Sequence, residues 1–289
     1  MSPRPRALPK LRDQMVRHLE DPTAPVRAST GAENQTGLDA LARHLRAAEL
    51  YWVAQDMAAL AVSAGGQLAA ARWATMDRPS PCGLLVWDGG VGHIDAQGVQ
   101  IPVEACAWGP VQGGCGVSLF MSRSRLEAEV ADSGYRLDKT GVPPMVPIRA
   151  WVLPIGEPLS MAALPDGAPA PAFGALAAAW LLMQQPQLVD RRQERADNAT
   201  QRAYAREQLP DPEITVIDLR RQYVPDLSDP DAEKESRRYR HRWVVSGHWR
   251  DQAYGPERSL RRQTWIPAYV KGPEGAPLLA TERVNVWRR

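Results

Sequence analysis

Long apolar runs are missing from this 289-residue chain. The weakly polar stretch Met57–Ala71 is broken by Ser63, Gly65, Gly66 and Gln67, and Ala172–Met183 has only twelve residues. A membrane-spanning helix needs about 20 apolar residues, so neither stretch is read as a span and no membrane partner is expected. Cysteine is scarce. Cys82, Cys106 and Cys115 are odd in number and lack close pair spacing, which argues against a disulfide framework or a zinc motif. The basic start MSPRPRALPKLRD has no apolar core after it, so it is not read as a secretory signal, and a cytoplasmic location is expected. What is present is ordinary for a globular chain: 44% hydrophobic and 24% charged residues. That excludes a wholly disordered, collagenous or fibrous protein and allows one large or two modest domains.

The net charge of +2 conceals a segregation. Residues 237–289 hold twelve Lys/Arg against four Asp/Glu, a net of +8, whereas the remaining 236 residues hold 23 against 29, a net of −6. Arg outnumbers Lys 31 to four, as GC-rich coding would produce. Coding bias accounts for the choice of Arg but not for its concentration at one end. Such a basic module is expected to meet a polyanion.

The patterning predicts an α+β fold. Residues 1–35 read as an N-terminal extension with one amphipathic run at Leu8, Leu11, Met15 and Leu19. A helix is expected from Thr36, with Leu38, Leu41, Leu45, Ala48 and Trp52 on one face. Gly65–Gly66 should end or bend the helical region that follows. Short runs at Gly83–Trp87, Val99–Val103 and Gly116–Met121, separated by glycines at 89–90, 109 and 113–114, predict an antiparallel sheet. Ser124 and Glu127 open a short helix, and Ile148–Leu153 reads as a strand. Pro171 suits the first turn of a helix running to Met183 that is buried on most sides. Leu188–Gln208 is either a solvated helix or an extended arm, and Glu213–Arg220 alternates as a strand. The acidic stretch Asp226–Ser236 reads as a mobile linker. The expected organisation is therefore an extension (1–35), a mixed helix/antiparallel-sheet domain (36–225), a linker (226–236) and a small basic β module (237–289).

Within that module, Arg238–Trp249, Gln263–Val270 and Leu278–Trp287 read as strands of a small meander or partly closed barrel. Alternation along the first run places Arg240, Arg242, Val244, Ser246, His248 and Arg250 on one face, with Tyr239, His241, Trp243, Val245 and Trp249 on the other. The segment HRWVVSGHWR (241–250), followed by Tyr254-Gly-Pro, Trp265-Ile-Pro and Tyr269-Val-Lys-Gly-Pro, resembles the C-terminal module of a family of actinobacterial and phage or integrative-element proteins. Ala177–Gln185 resembles the helix preceding that module in the same family, so the likeness covers about residues 170–289, with a looser one at 83–125. The resemblance implies a mobile-element context and no catalytic residues.

Arg provides bidentate phosphate donors, and Trp or Tyr can stack on bases. Arg240, Arg242, Arg250, Arg258, Arg261, Arg262, Lys271, Trp249 and Tyr254 are therefore the candidate nucleic-acid contacts, with RNA or single strands favoured. Two further functions compete. His248 among its arginines, with His241 rotated towards it by a bulge at Ser246-Gly247, would suit a metal-independent endoribonuclease. The same basic face would equally suit an inhibitor or antitoxin that binds an acidic protein encoded nearby. Against each stands the plain alternative of packed histidines and of arginines paired with acidic groups of the same chain. No cofactor is implied, and a metal site is not expected because no Cys or third His accompanies the pair. Asp88–His93 is glycine-rich but lacks the lysine of a phosphate loop, so it reads as a turn. Trp52, Trp73, Trp87, Trp108, Trp151 and Trp180 are expected in the core, and Arg191–Arg206 on a solvated face.

Overall fold

The Glu49–Val53 segment is short and mostly apolar, and it becomes an interior strand of the first of two compact units, Met1–Arg220 and Arg221–Arg289. The structure, a computed structural model, describes residues 3–68, 72–96, 98–131, 141–220 and 242–271. The expected linker 226–236 lies outside them. In chain order the first unit begins with α1 (Leu8–Glu20), α2 (Pro25–Ser29), α3 (Ala32–Arg46), β1 (Glu49–Val53) and α4 (Gln55–Gly65). Then come β2 (Gly83–Trp87), β3 (His93–Ala96), β4 (Val99–Pro102), β5 (Ala105–Val111), β6 (Gly114–Ser122), α5 (Arg123–Ala131) and β7 (Met145–Leu153). The unit closes with α6 (Ala170–Met183), β8 (Val189–Arg195), α7 (Asn198–Arg206) and β9 (Glu213–Leu219).

Seven strands form one sheet in the order β7-β6-β5-β2-β1-β9-β8. The fold is α+β, but the sheet is mixed rather than antiparallel: β1 runs parallel to both β2 and β9. A parallel neighbour needs a crossover, and α4 supplies it between β1 and β2. Side chains of β1 alternate between two cores. Leu50 joins Leu84, Val86, Ile214 and Val216 under α1 and α3, where Leu8, Leu11, Met15 and Leu45 are buried. Residues 1–35 are therefore not a separate extension, because the apolar stripe of α1 is part of this core. Trp52, expected on the helix, lies in β1 instead. The helix ends at Arg46, and the three- and four-residue spacing continues across the junction only by coincidence.

On the opposite face, Tyr51 stacks on Trp108 at 5.7 Å, and Trp108 meets Trp180 of α6 edge-on at 5.4 Å. Trp151 of β7 meets Phe173 of α6 at 5.4 Å. Every residue of α6 from Ala172 to Met183 is buried, as its apolar run predicted. It can be buried on all sides because it packs against α4 as well as the sheet. A Cβ on Gly65 would lie 2.5 Å from the carbonyl carbon of Gly174, so the two backbones touch where neither carries a side chain. Trp73, Trp87, Trp108, Trp151 and Trp180 are buried, and Trp52 is half-buried.

Residues 188–208 adopt both of the alternatives left open by the sequence. Val189–Arg195 is an edge strand and Asn198–Arg206 a helix. Most of the edge strand is exposed, and Arg192 pairs with Glu194 and, at 3.1 Å, with Asp218. A charged edge of this kind discourages pairing with another chain. At the other edge, β6 and β7 shift register: Leu119 pairs with Arg149 and Phe120 with Pro147, which leaves Ile148 as a bulge. Gly109, expected as a turn, is a residue of β5 against which the ring of His44 lies.

His44 is buried in α3, and its Nε2–H donates to the Pro110 carbonyl at 2.8 Å. Burial pushes its pKa below 6.5, with smaller opposing and reinforcing effects from the Pro110 bond and Arg43. Burial lowers that of His18 as well. A lowered folded-state pKa means that the unfolded chain binds more protons between that value and 6.5. Stability should therefore fall as pH drops below 6.5 and be independent of these groups above about pH 7.5. Urea unfolding across this range checks the sign. His44→Phe, which cannot titrate, should show a shallower pH slope than the parent whatever its absolute stability.

Candidate nucleic-acid interface

In the second unit, turn formers divide two runs whose side chains alternate, and the result is a ribbon. Its strands are β10 (Trp243–Val245), β11 (His248–Tyr254), β12 (Leu260–Ile266) and β13 (Tyr269–Lys271). β11 pairs antiparallel with β12 from His248↔Ile266 to Tyr254↔Leu260, and β10 pairs with β13 from Trp243↔Lys271 to Val245↔Tyr269. Both ladders keep one register, so the outer pair continues the inner one. Between them Ser246-Gly247 faces Pro267-Ala268, where proline has no N–H for a ladder bond. Among the described residues the module is thus a ribbon of two antiparallel strand pairs in one register, and a meander or partly closed barrel is not shown. The expected third run, Leu278–Trp287, lies outside the described residues, as do Arg240 and His241.

Because the register does not slip at Ser246-Gly247, the expected bulge is not there and alternation carries through. Arg242, Val244, Ser246, His248, Arg250, Gln252 and Tyr254 share a face. Their cross-strand neighbours on that face are Leu260, Arg262, Thr264, Ile266 and Val270. Among the described residues this face carries Arg242, Arg250 and Arg262. Arg262 lies over the ring of Tyr254, 5.3 Å from its centroid. Other candidates fall elsewhere. Arg261 and Lys271 pair with Ala253 and Trp243 on the opposite face. Arg258 sits in the turn, where it and Glu257 take left-handed φ values of 55° and 52°. Trp249 also belongs to the opposite face, meeting Trp265 edge-on at 5.3 Å, and Trp265 is buried. Trp249 is a packing residue there, and Tyr254 is the aromatic ring on the cationic face.

His248 is held by its own strand: Nδ1–H donates to the Ser246 carbonyl at 3.1 Å. A carbonyl can only accept, so the proton of the neutral ring is on Nδ1 and Nε2 keeps its lone pair.

The first unit contains a different kind of concavity, a cleft of about 920 Å3 between α1, α7 and residues 207–213. At its side the Arg12 guanidinium and the Tyr204 hydroxyl both bond Asp13, at 2.9 and 2.7 Å, and Arg12 also donates to the Tyr204 oxygen. Burial, then the bond to Asp13, pushes the Tyr204 phenol up to about 12, so it stays protonated and donates. Members of this cluster are 191 residues apart in the chain, and no local pattern announces it. Four cations and six carboxylates line the cleft, a balance unsuited to a polyanion. Burial pushes the thiols of Cys82, Cys106 and Cys115 up, which favours their protonated forms.

A Cβ on Gly247 would lie 2.6 Å from the Trp265 ring, which therefore requires a residue without a side chain at this position. Gly247→Val should displace Trp265 and destabilise the ribbon by about 1–3 kcal/mol. Near-ultraviolet circular dichroism should lose tryptophan signal, and amides of residues 248–254 should exchange faster while those of β1 do not.

Comparison with protein-family models and with curated proteins finds no match to this chain.

Proposed function

We propose that this protein binds nucleic acid through the Arg242–His248–Arg250–Arg262 face of its ribbon, with RNA or other single strands favoured, in the cytoplasmic setting of a mobile element. The observation that carries this reading is the placement of Arg242, Arg250 and Arg262 on one face of the ribbon, together with His248 and the Tyr254 ring. Guanidinium groups spaced along a strand suit successive phosphates, and each phosphate neutralised releases counterions. Three such contacts correspond to a log–log salt slope of about −2 on a single strand. Fluorescence anisotropy with a labelled oligoribonucleotide tests it. Replacing Arg242, Arg250 and Arg262 by Ala should weaken binding and reduce the salt slope by about 2. Unchanged affinity and slope in a folded variant would remove this face from consideration.

A second reading, endoribonuclease, is favoured by the lone pair that the Ser246 bond leaves on Nε2 of His248, on the same face as the arginines. There it would take the proton of a 2′-hydroxyl as that oxygen bonds to the adjacent phosphorus, and a neighbouring guanidinium would stabilise the phosphorane. The P–O5′ bond would break as the same proton passes to the leaving 5′-oxygen, giving a 2′,3′-cyclic phosphate and a 5′-hydroxyl. His248→Gln, which keeps polarity but cannot accept a proton from a hydroxyl, should then abolish cleavage and preserve binding, with cleavage in the parent persisting in EDTA. A parent protein that cleaves no RNA between about pH 5 and 8 leaves the binding role alone.

A further inference from the structure

Resting on the reading of the ribbon as a nucleic-acid interface, we propose that its ligand is an unpaired strand gripped at two apolar stations. One station is the cross-strand pair Tyr254–Leu260 and the other is Val244–Val270. These four side chains are 40%, 48%, 51% and 49% exposed, which places four of the ten large exposed hydrophobics of the described residues on one face of one ribbon. Isolated apolar residues on a surface are ordinary, but two opposed pairs bracketing a cationic stretch form a pattern.

The chemistry between the stations selects the ligand. Arg250 and Arg262 lie between them on the same face, with His248, Gln252 and Thr264. A duplex turns its phosphates outward and buries the faces of its bases, leaving nothing for Val244–Val270 or Tyr254–Leu260 to cover. An unpaired strand offers both phosphates and π-faces. Its phosphates would meet the two arginines, and a base would lie on Tyr254, whose ring already carries the Arg262 guanidinium. The stations are ten residues apart along the strand, about 33 Å at the usual rise. That is roughly ten nucleotides at 3.4 Å each, and fewer when the strand is extended. The track winds, because a two-stranded ribbon twists strongly.

The experiment is equilibrium binding of the full chain to oligouridylates of about four to sixteen nucleotides. RNA and DNA duplexes of matched length are measured alongside. Unpaired strands should bind at least about tenfold more tightly than either duplex, and affinity should rise with length until both stations are spanned, then level off. Tyr254→Ala should cost about tenfold on long strands without altering the salt slope, since no charge is lost, and Tyr254→Phe should retain affinity. Val244→Ser with Val270→Ser should weaken long strands and spare short ones. These valines are half exposed, so the variant should fold as the parent does. Equal or tighter duplex binding, with the station variants neutral, overturns the inference while nucleic-acid binding stands. Absence of any nucleic-acid binding overturns the proposed function and the inference with it, and binding to an acidic protein through the same residues would then name the alternative occupant.

Discussion

Parallel pairing of β1 with β2 and β9 is the constraint on which the first unit is built. A strand with parallel neighbours on both sides cannot leave either face to water, because its side chains point alternately into two layers. Leu50 therefore needs a cover from one side, and Tyr51 and Val53 need one from the other. The first cover comes from α1 and α3 and the second from α4 and α6, which explains why an N-terminal helix and a late helix are both indispensable to a strand at residues 49–53. The hydroxyl of Tyr204 on Asp13 adds a polar tie between the chain's first long helix and its last one in this unit.

The ribbon obeys a different constraint. With two strands there is no second layer to satisfy, so alternation separates its faces by chemistry instead. Trp249 and Trp265 occupy one face, and Arg250, Arg262 and His248 the other. Constant register across Ser246-Gly247 keeps that separation from end to end, and the Trp265 ring over Gly247 stabilises the interruption. Six carboxylates and four cations line the cleft of the first unit, whereas among the described residues the ribbon face of the second gathers Arg242, Arg250 and Arg262.

Much of this was legible residue by residue. The burial of α6 followed from an uninterrupted apolar run, the core tryptophans from their apolar surroundings, and the faces of β11 from strict alternation. Less legible was anything that depended on a distant partner. Gly109 looked like a turn because no local feature reveals a histidine ring from residue 44. Residues 188–208 carried no decisive period, because an exposed edge strand and an exposed helix are both charged throughout.

By itself the sequence determined the local choices: which segments are apolar, where alternation holds, where turns are permitted, and that the positive charge gathers at one end. Those follow from side-chain chemistry and short-range sterics. Tertiary structure alone decided that β1 is flanked in parallel, that α1 belongs to the core, that Arg12, Asp13 and Tyr204 meet, and that Arg262 joins Arg250 while Arg261 and Lys271 do not. Each of these depends on which strand pairs with which, and in what register. That outcome is set by the burial of whole faces at once, and no stretch of neighbouring residues encodes it.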